Sequence, residues 1–267
     1  MARFTGLGAT PARSPAAMAD EVEVIFSCLP NAGAAAQVAV GAEGAIHGRR
    51  MAVLVEMATI GKQAVEPVAA DLVEAGKALL DVPVSGGPRG ARQGTLAAMV
   101  AGAPAAVAMG RPFLEIMARH IFVVGEKPGL AQIMKLVNNL ISSANMAGAF
   151  EALVVGAKAG LDPDLMVEVV NASTGRNSAT TDKIPRAVLS GTFDYGARTD
   201  IFYKDISLGL AEAEALGVPT MALSAIAQLW RFAMTQGEAG EDYTAVIRHI
   251  ERWAGAELRS RGAKTGG

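Results

Sequence analysis

The stretch "LAQIMKLVNNLISSANMAGAFEALVVGAKAG", Leu130 to Gly160, has apolar residues at helical spacing, no proline, and a glycine at its end. It predicts one helix far longer than the globular average. Such a helix either crosses between two bodies or packs along a partner chain. The chain therefore divides around it.

Ahead of the helix, strand and helix patterns alternate. Val22 to Pro30, Met51 to Ile60, Lys77 to Gly87, Leu96 to Gly102 and Ile121 to Gly125 read as strands. Helical patterns lie between them at Val65 to Lys77 and Pro104 to His120. This alternation implies an α/β layer with a mostly parallel sheet. Beyond Gly129 every patterned segment is helical: Pro163 to Ser173, Asp205 to Gly217 and Pro219 to Gly237. We expect an α/β domain over 1–127 and an all-helical domain over 128–267, with the boundary between Glu126 and Gly129.

Composition narrows the class. Hydrophobic residues make up 51 % and aromatics 5 %, so the core rests on Ala, Val, Leu, Ile and Met. A net charge of -2 gives no basic face for nucleic acid. Cys28 is the one cysteine, so no internal disulfide can form, and the three histidines lie far apart. No metal site is expected. No run of uncharged apolar residues is long enough for a membrane span, and no export signal follows the first residues. A cytoplasmic protein is the simplest expectation.

Several segments could carry chemistry. Lys135 and Asn139 are four apart and share a helix face with Asn138. Two asparagines in mid-helix cost propensity. A lysine among Ile133, Met134, Val137, Leu140 and Ile141 suits a proton donor to a carbonyl. The competing reading is a solvent-facing lysine with surface amides. In "DVPVSGGPRGARQGT", Ser85 offers a hydroxyl and Gly86 and Gly87 offer backbone N–H groups, a combination that holds a carboxylate. The alternative is a bare glycine turn, with Gly90 and Gly94 forming a hairpin or bulge. "SCLPN" and "MATI" place Leu29, Pro30, Asn31 and Thr59 just past strands. "FYKDISLG" places Lys204 and Asp205 where a helix begins. "FTGLGATPAR" matches only the first two glycines of G-x-G-x-x-G, at Gly6 and Gly8, with no full strand ahead.

Taken in order, "DVPVSGGPRGARQGTLAAMVAG", "GLAQIMKLVNNLI" and "YKDISLGLAEAEALGVPT" resemble the signatures of the β-hydroxyacid dehydrogenases. That family includes 3-hydroxyisobutyrate dehydrogenase and tartronate semialdehyde reductase, and is related to 6-phosphogluconate dehydrogenase. The resemblance spans most of the chain. It implies a Rossmann-like NAD(P)-binding domain, then an all-helical domain, and reversible hydride transfer between NAD or NADP and a small carboxylic-acid substrate. By motif, Lys135 resembles the catalytic lysine and Asn139 its substrate-positioning partner, with Asn138 beside them. Ser85, Gly86 and Gly87 resemble the substrate carboxylate loop. Leu29, Pro30, Asn31 and Thr59 resemble cofactor-lining residues, and Lys204 with Asp205 the second-domain pair near the cofactor. Glu56 and Ala58 stand where the family pattern has Asp and Ser. The family also assembles as homodimers or homotetramers through its helical domain.

The resemblance carries one further expectation. "VEVIFSCLP" matches a strand that relatives place after the phosphate loop, so the Rossmann-like domain here is expected to be truncated. It would leave the Val22 to Leu29 strand with an open edge and bind dinucleotide poorly. The alternative to an active dehydrogenase is a non-catalytic small-acid binder or assembly module. Lys135 as a Schiff-base nucleophile has no support beyond the lysine itself.

Overall fold

A computed structural model describes residues 2–260. They form two compact units that part between Lys135 and Leu136.

The first unit runs α1 (Ala2–Thr5), α2 (Pro15–Ala19), β1 (Val24–Ser27), α3 (Ala32–Val40), a 3-10 turn (Ala45–His47), β2 (Val53–Glu56), α4 (Lys62–Glu74), β3 (Ala78–Asp81), β4 (Val84–Ser85), α5 (Gly87–Gln93), β5 (Leu96–Ala101), α6 (Pro104–Met117) and β6 (Ala118–Gly125). The helix α7 (Leu130–Lys158) starts here and ends in the second unit. Strand order is β1-β2-β3-β5-β4, with β6 on β5. Period-2 alternation splits the strand residues between two cores. Ile25, Leu54 and Leu79 lie in register and face a core with Val65, Val68 and Leu72 of α4. Val53, Val55 and Leu80 face another with Ala106 and Leu114 of α6. Each fully buried Leu or Val contributes about 1.5–3 kcal/mol, so this two-sided burial fixes the register of the sheet.

The sheet is mostly parallel, as expected, with an antiparallel part. The β1–β2, β2–β3 and β5–β6 pairs are parallel, while β3–β5 and β4–β5 are antiparallel. The reason is the connection after Ser85. "GPRGARQ" forms the short helix α5, not a hairpin or bulge, and it is too brief for the crossover a parallel neighbour needs. β1 pairs with β2, and among the described residues no strand lies on its other edge.

The second unit continues α7 and adds α8 (Pro163–Asn171), a π-helix (Ala179–Leu189), α9 (Thr199–Ala215), α10 (Met221–Thr235), a 3-10 turn (Tyr243–Val246) and α11 (Ile247–Ala254). Its core gathers Phe150, Ile184, Ile206 and Trp230. Phe202 stands edge-on to both Trp230 and Tyr243, with centroids at 4.9 and 4.8 Å. The polar stretch before the π-helix is tied down by Asn177, whose Oδ1 accepts from Ala179 N. By length and composition alone α7 would also pass as a membrane span, but 44 % of its most apolar window is buried within the fold.

Candidate active site

Three parallel strands of the first unit end level with one another, at Ser27, Glu56 and Asp81. Ligands of open α/β sheets bind beyond such carboxyl ends. Past β1 come Leu29, half-buried, and Pro30, exposed. Asn31 caps α3: its Oδ1 accepts from Ala34 N at 2.9 Å. Past β2 comes the 57–61 segment with half-buried Thr59. Past β3 the chain reaches Ser85, then Gly86 at φ 126° and Gly87 at φ 60°. Both glycines hold conformations that side chains resist, so the loop needs them for its shape.

Behind these loops lies a buried polar network. Glu56 Oε1 accepts from Ala58 N at 2.8 Å. Asp81 Oδ2 accepts from Gly129 N at 2.8 Å and Gln132 N at 3.2 Å, which places a carboxylate on the first turn of α7. Gln132 Nε2 donates to Asp81 Oδ1 at 2.7 Å and to Ala58 O at 3.1 Å. Its Oε1 accepts from Ile60 N at 2.9 Å and Gly61 N at 3.0 Å. Burial pushes the Glu56 and Asp81 carboxyls above their ordinary values, against the pull of these hydrogen bonds.

The face of α7 that carries this chemistry is turned inward. Gln132, Lys135, Asn139 and Ser143 are 0 to 7 % exposed, while Met134, Val137 and Ile141 are 40 to 56 % exposed. The apolar Leu136 and Leu140 are buried as well. The reading of Lys135 as a solvent-facing lysine is thereby excluded.

In the second unit α7 and α9 carry a four-residue polar chain. Asn138 Nδ2 donates to Asn139 Oδ1 at 3.1 Å, and Asn139 Nδ2 donates to Asp205 Oδ2 at 2.7 Å. The other Asp205 oxygen forms an ion pair with Lys204 Nζ at 3.0 Å. Asp205 does not stand where a helix begins. It lies inside α9, which starts at Thr199, and it is buried. The two helices approach closely because Gly209 lacks a side chain: a Cβ there would stand 2.9 Å from Leu140.

Residue by residue, then, the structure sets Ser85, Gly86, Gly87, Thr59 and Lys135 in the first unit, and joins Asn138, Asn139, Lys204 and Asp205 by contact in the second. Gly6 and Gly8 are exposed and follow the short helix α1, so they do not form a strand-to-helix phosphate loop. Leu29 to Asn31 and Thr59 follow two adjacent parallel strands. Sequence reasoning missed Gln132 and Asp81, although an uninterrupted helix carrying Gln one turn before Lys135 was a visible signal.

Comparison with known proteins agrees with this geometry. Residues 1–125 match the family model for the NAD binding domain of 6-phosphogluconate dehydrogenase. Residues 129–250 match that for the NAD-binding domain of NADP-dependent 3-hydroxyisobutyrate dehydrogenase. 3-Hydroxyisobutyrate dehydrogenase of Pseudomonas aeruginosa is 35 % identical, over 90 % of this chain and 83 % of the relative. 2-(Hydroxymethyl)glutarate dehydrogenase of Eubacterium barkeri is 32 % identical, over 97 % of this chain and 86 % of the relative. The chain belongs to the β-hydroxyacid dehydrogenase family. Its members are oxidoreductases that use NAD or NADP. A solved structure, Psf3 in complex with NADP+ and 2-OPP, superposes with a TM-score of 0.82 at 25 % identity, covering 93 % of this chain and 87 % of that one. This β-hydroxyacid dehydrogenase thus has the expected Rossmann-like first half and helical second half.

Proposed function

We propose that this dehydrogenase interconverts a small β-hydroxyacid and its aldehyde or ketone, of the 3-hydroxyisobutyrate or 2-hydroxy-3-oxopropionate kind, with Lys135 as the proton-transferring group. The observation that carries the reading is that Lys135 is buried on α7, on one face with Gln132 and Asn139. Bound NAD or NADP supplies the hydride chemistry. Lys135 Nζ gives a proton to the carbonyl oxygen as its carbon is reduced, and takes that proton back in the oxidative direction. The Ser85 hydroxyl and the N–H groups of Gly86 and Gly87 hold the substrate carboxylate. Asn139 follows Lys135 by one helical turn and positions the substrate hydroxyl. Asp205 and Asn138 fix which way its amide points. Leu29, Pro30, Asn31 and Thr59 line the cofactor. Lys204 balances the charge of Asp205.

The exposed stripe of Met134, Val137, Ile141 and Val155 on α7 supports assembly with further copies as a homodimer or homotetramer in the cytoplasm. The activity is tested by following reduced cofactor spectroscopically. NADH and NADPH are offered with tartronate semialdehyde, and NAD and NADP with 3-hydroxyisobutyrate or D-glycerate. Turnover that falls about a thousandfold in Lys135→Ala is the expected result, the usual scale for general acid–base catalysis. Turnover unaffected by the substitution, or none from the folded wild type on any of these pairs, overturns the proposal.

A further inference from the structure

The buried side chain of Gln132 uses both its amide hydrogens and two lone pairs. Its partners are not neighbours in sequence. Ile60 N, Gly61 N and Ala58 O belong to the segment that contains Thr59. Asp81 belongs to β3, just ahead of the Ser85 loop. Gln132 itself is one turn before Lys135. Asp81 in turn accepts from the first turn of α7 through Gly129 N and Gln132 N. One amide and one carboxylate therefore bond together three of the segments of the first unit assigned a part in the chemistry. A fully satisfied buried network is rigid and specifies one arrangement, and catalytic groups gain most from support of that kind.

We infer that Gln132 and Asp81 are positioning residues: they lock the Thr59 segment and the Ser85 strand to the helix that carries Lys135. Neither touches the reacting atoms. The inference rests on the activity proposed above, but the lock itself has a readout that needs no turnover.

The test uses the full chain and the variants Gln132→Leu, Gln132→Glu, and Gln132→Glu combined with Asp81→Asn. Amide hydrogen exchange is measured without cofactor. In Gln132→Leu, Ile60 and Gly61 should exchange about tenfold faster while Leu54 in β2 keeps its protection, because the two amides lose their acceptor. With the substrate and cofactor that the wild type turns over, kcat should fall about tenfold or more, with the substrate KM within about threefold. Gln132→Glu sets a second carboxylate against Asp81 and should be as slow. Adding Asp81→Asn reverses the polarity of that contact: an amide at position 81 donates to a carboxylate at position 132. The Ile60 and Gly61 bonds survive, only Ala58 O loses its donor, and kcat should recover several-fold. A residue that only stabilises the fold would lower the melting temperature without changing kcat of the folded fraction.

Unchanged exchange at Ile60 and Gly61, or kcat within about twofold of wild type in Gln132→Leu, overturns the inference. Should Gln132→Leu fail to fold, a double variant no faster than Gln132→Glu does the same. A wild type that turns over none of the substrate pairs refutes the activity instead, and exchange alone then decides the lock.

Discussion

Removing the Asp205 carboxylate tests the second unit's polar chain. Asp205 is 7 % exposed, and its two oxygens serve different partners. One accepts from Asn139 at 2.7 Å. The other faces Lys204 at 3.0 Å, on a side chain that is 32 % exposed. The first is a charged, buried hydrogen bond, worth about 1.5–3 kcal/mol. The second is near the surface and screened, so it adds about 0.5–1 kcal/mol. Asp205→Ala should therefore lower the unfolding free energy by about 2–4 kcal/mol, read from urea unfolding at neutral pH. Asp205→Asn keeps an acceptor for Asn139 and should cost only about half as much. The functional effect follows from Asn139. With that acceptor gone, the amide is held on one side only, by Asn138, and kcat/KM should fall about 10- to 100-fold in Asp205→Ala, equivalent to about 1.4–2.8 kcal/mol of transition-state stabilisation. Lys204→Ala removes the outer ion pair and should lower stability by less than about 1 kcal/mol. If Lys204→Ala proves as damaging as Asp205→Ala, the Asn139 contact is not what Asp205 is for, and the reasoning fails.

Two further outcomes follow from packing and burial. Gly209→Ala gains about 1 kcal/mol of helix propensity but drives a methyl group to within 2.9 Å of Leu140, an overpacking that costs about 1–3 kcal/mol. A net loss of about 1 kcal/mol is expected in urea unfolding, and a more stable variant would show that α7 and α9 do not need to approach so closely. Burial holds the Glu56 carboxyl above its ordinary value of 4.5, so the folded chain keeps a proton that the unfolded chain gives up. That contribution to stability is whole below the ordinary value and declines as pH rises through the folded one. A glutamine does not titrate. The deficit of Glu56→Gln relative to wild type should accordingly shrink between about pH 4 and pH 7, and a deficit that grows over that range refutes the assignment.

What could be seen in the sequence was whatever a local pattern encodes. The strand at Val53 to Glu56 and the helix at Leu130 to Lys158 have short-range periods, and both lie where the periods put them. Features that depend on distant partners were hidden. Gln132 meets Ala58 O from 74 residues away and Asp81 from 51, and no window of sequence contains both ends. The α5 segment misleads for another reason. Gly87, Gly90 and Gly94 lower helix propensity, yet Pro88 suits its first turn and Gly94 closes it in the left-handed conformation. Asp205 misleads because an acid near the start of an apolar-periodic run reads as a helix start. The real start lies upstream at Thr199, and the carboxylate turns inward to Asn139.

The two asparagines of "KLVNN" join these observations. In isolation each disfavours a helix interior by about 0.6 kcal/mol relative to alanine. Local propensity therefore argues against the helix at the point where the fold needs it continuous. The structure shows what outweighs that cost. Asn138 donates to Asn139, and Asn139 donates to a carboxylate, a bond worth more than both propensity losses together. The interior side of α7 thus carries Gln132, Lys135 and Asn139 together with the buried Leu136 and Leu140, while Met134, Val137 and Ile141 are exposed. On α7 this conflict between local preference and global placement runs from Gln132 to the buried hydroxyl of Ser143, and such conflicts are expected at functional sites.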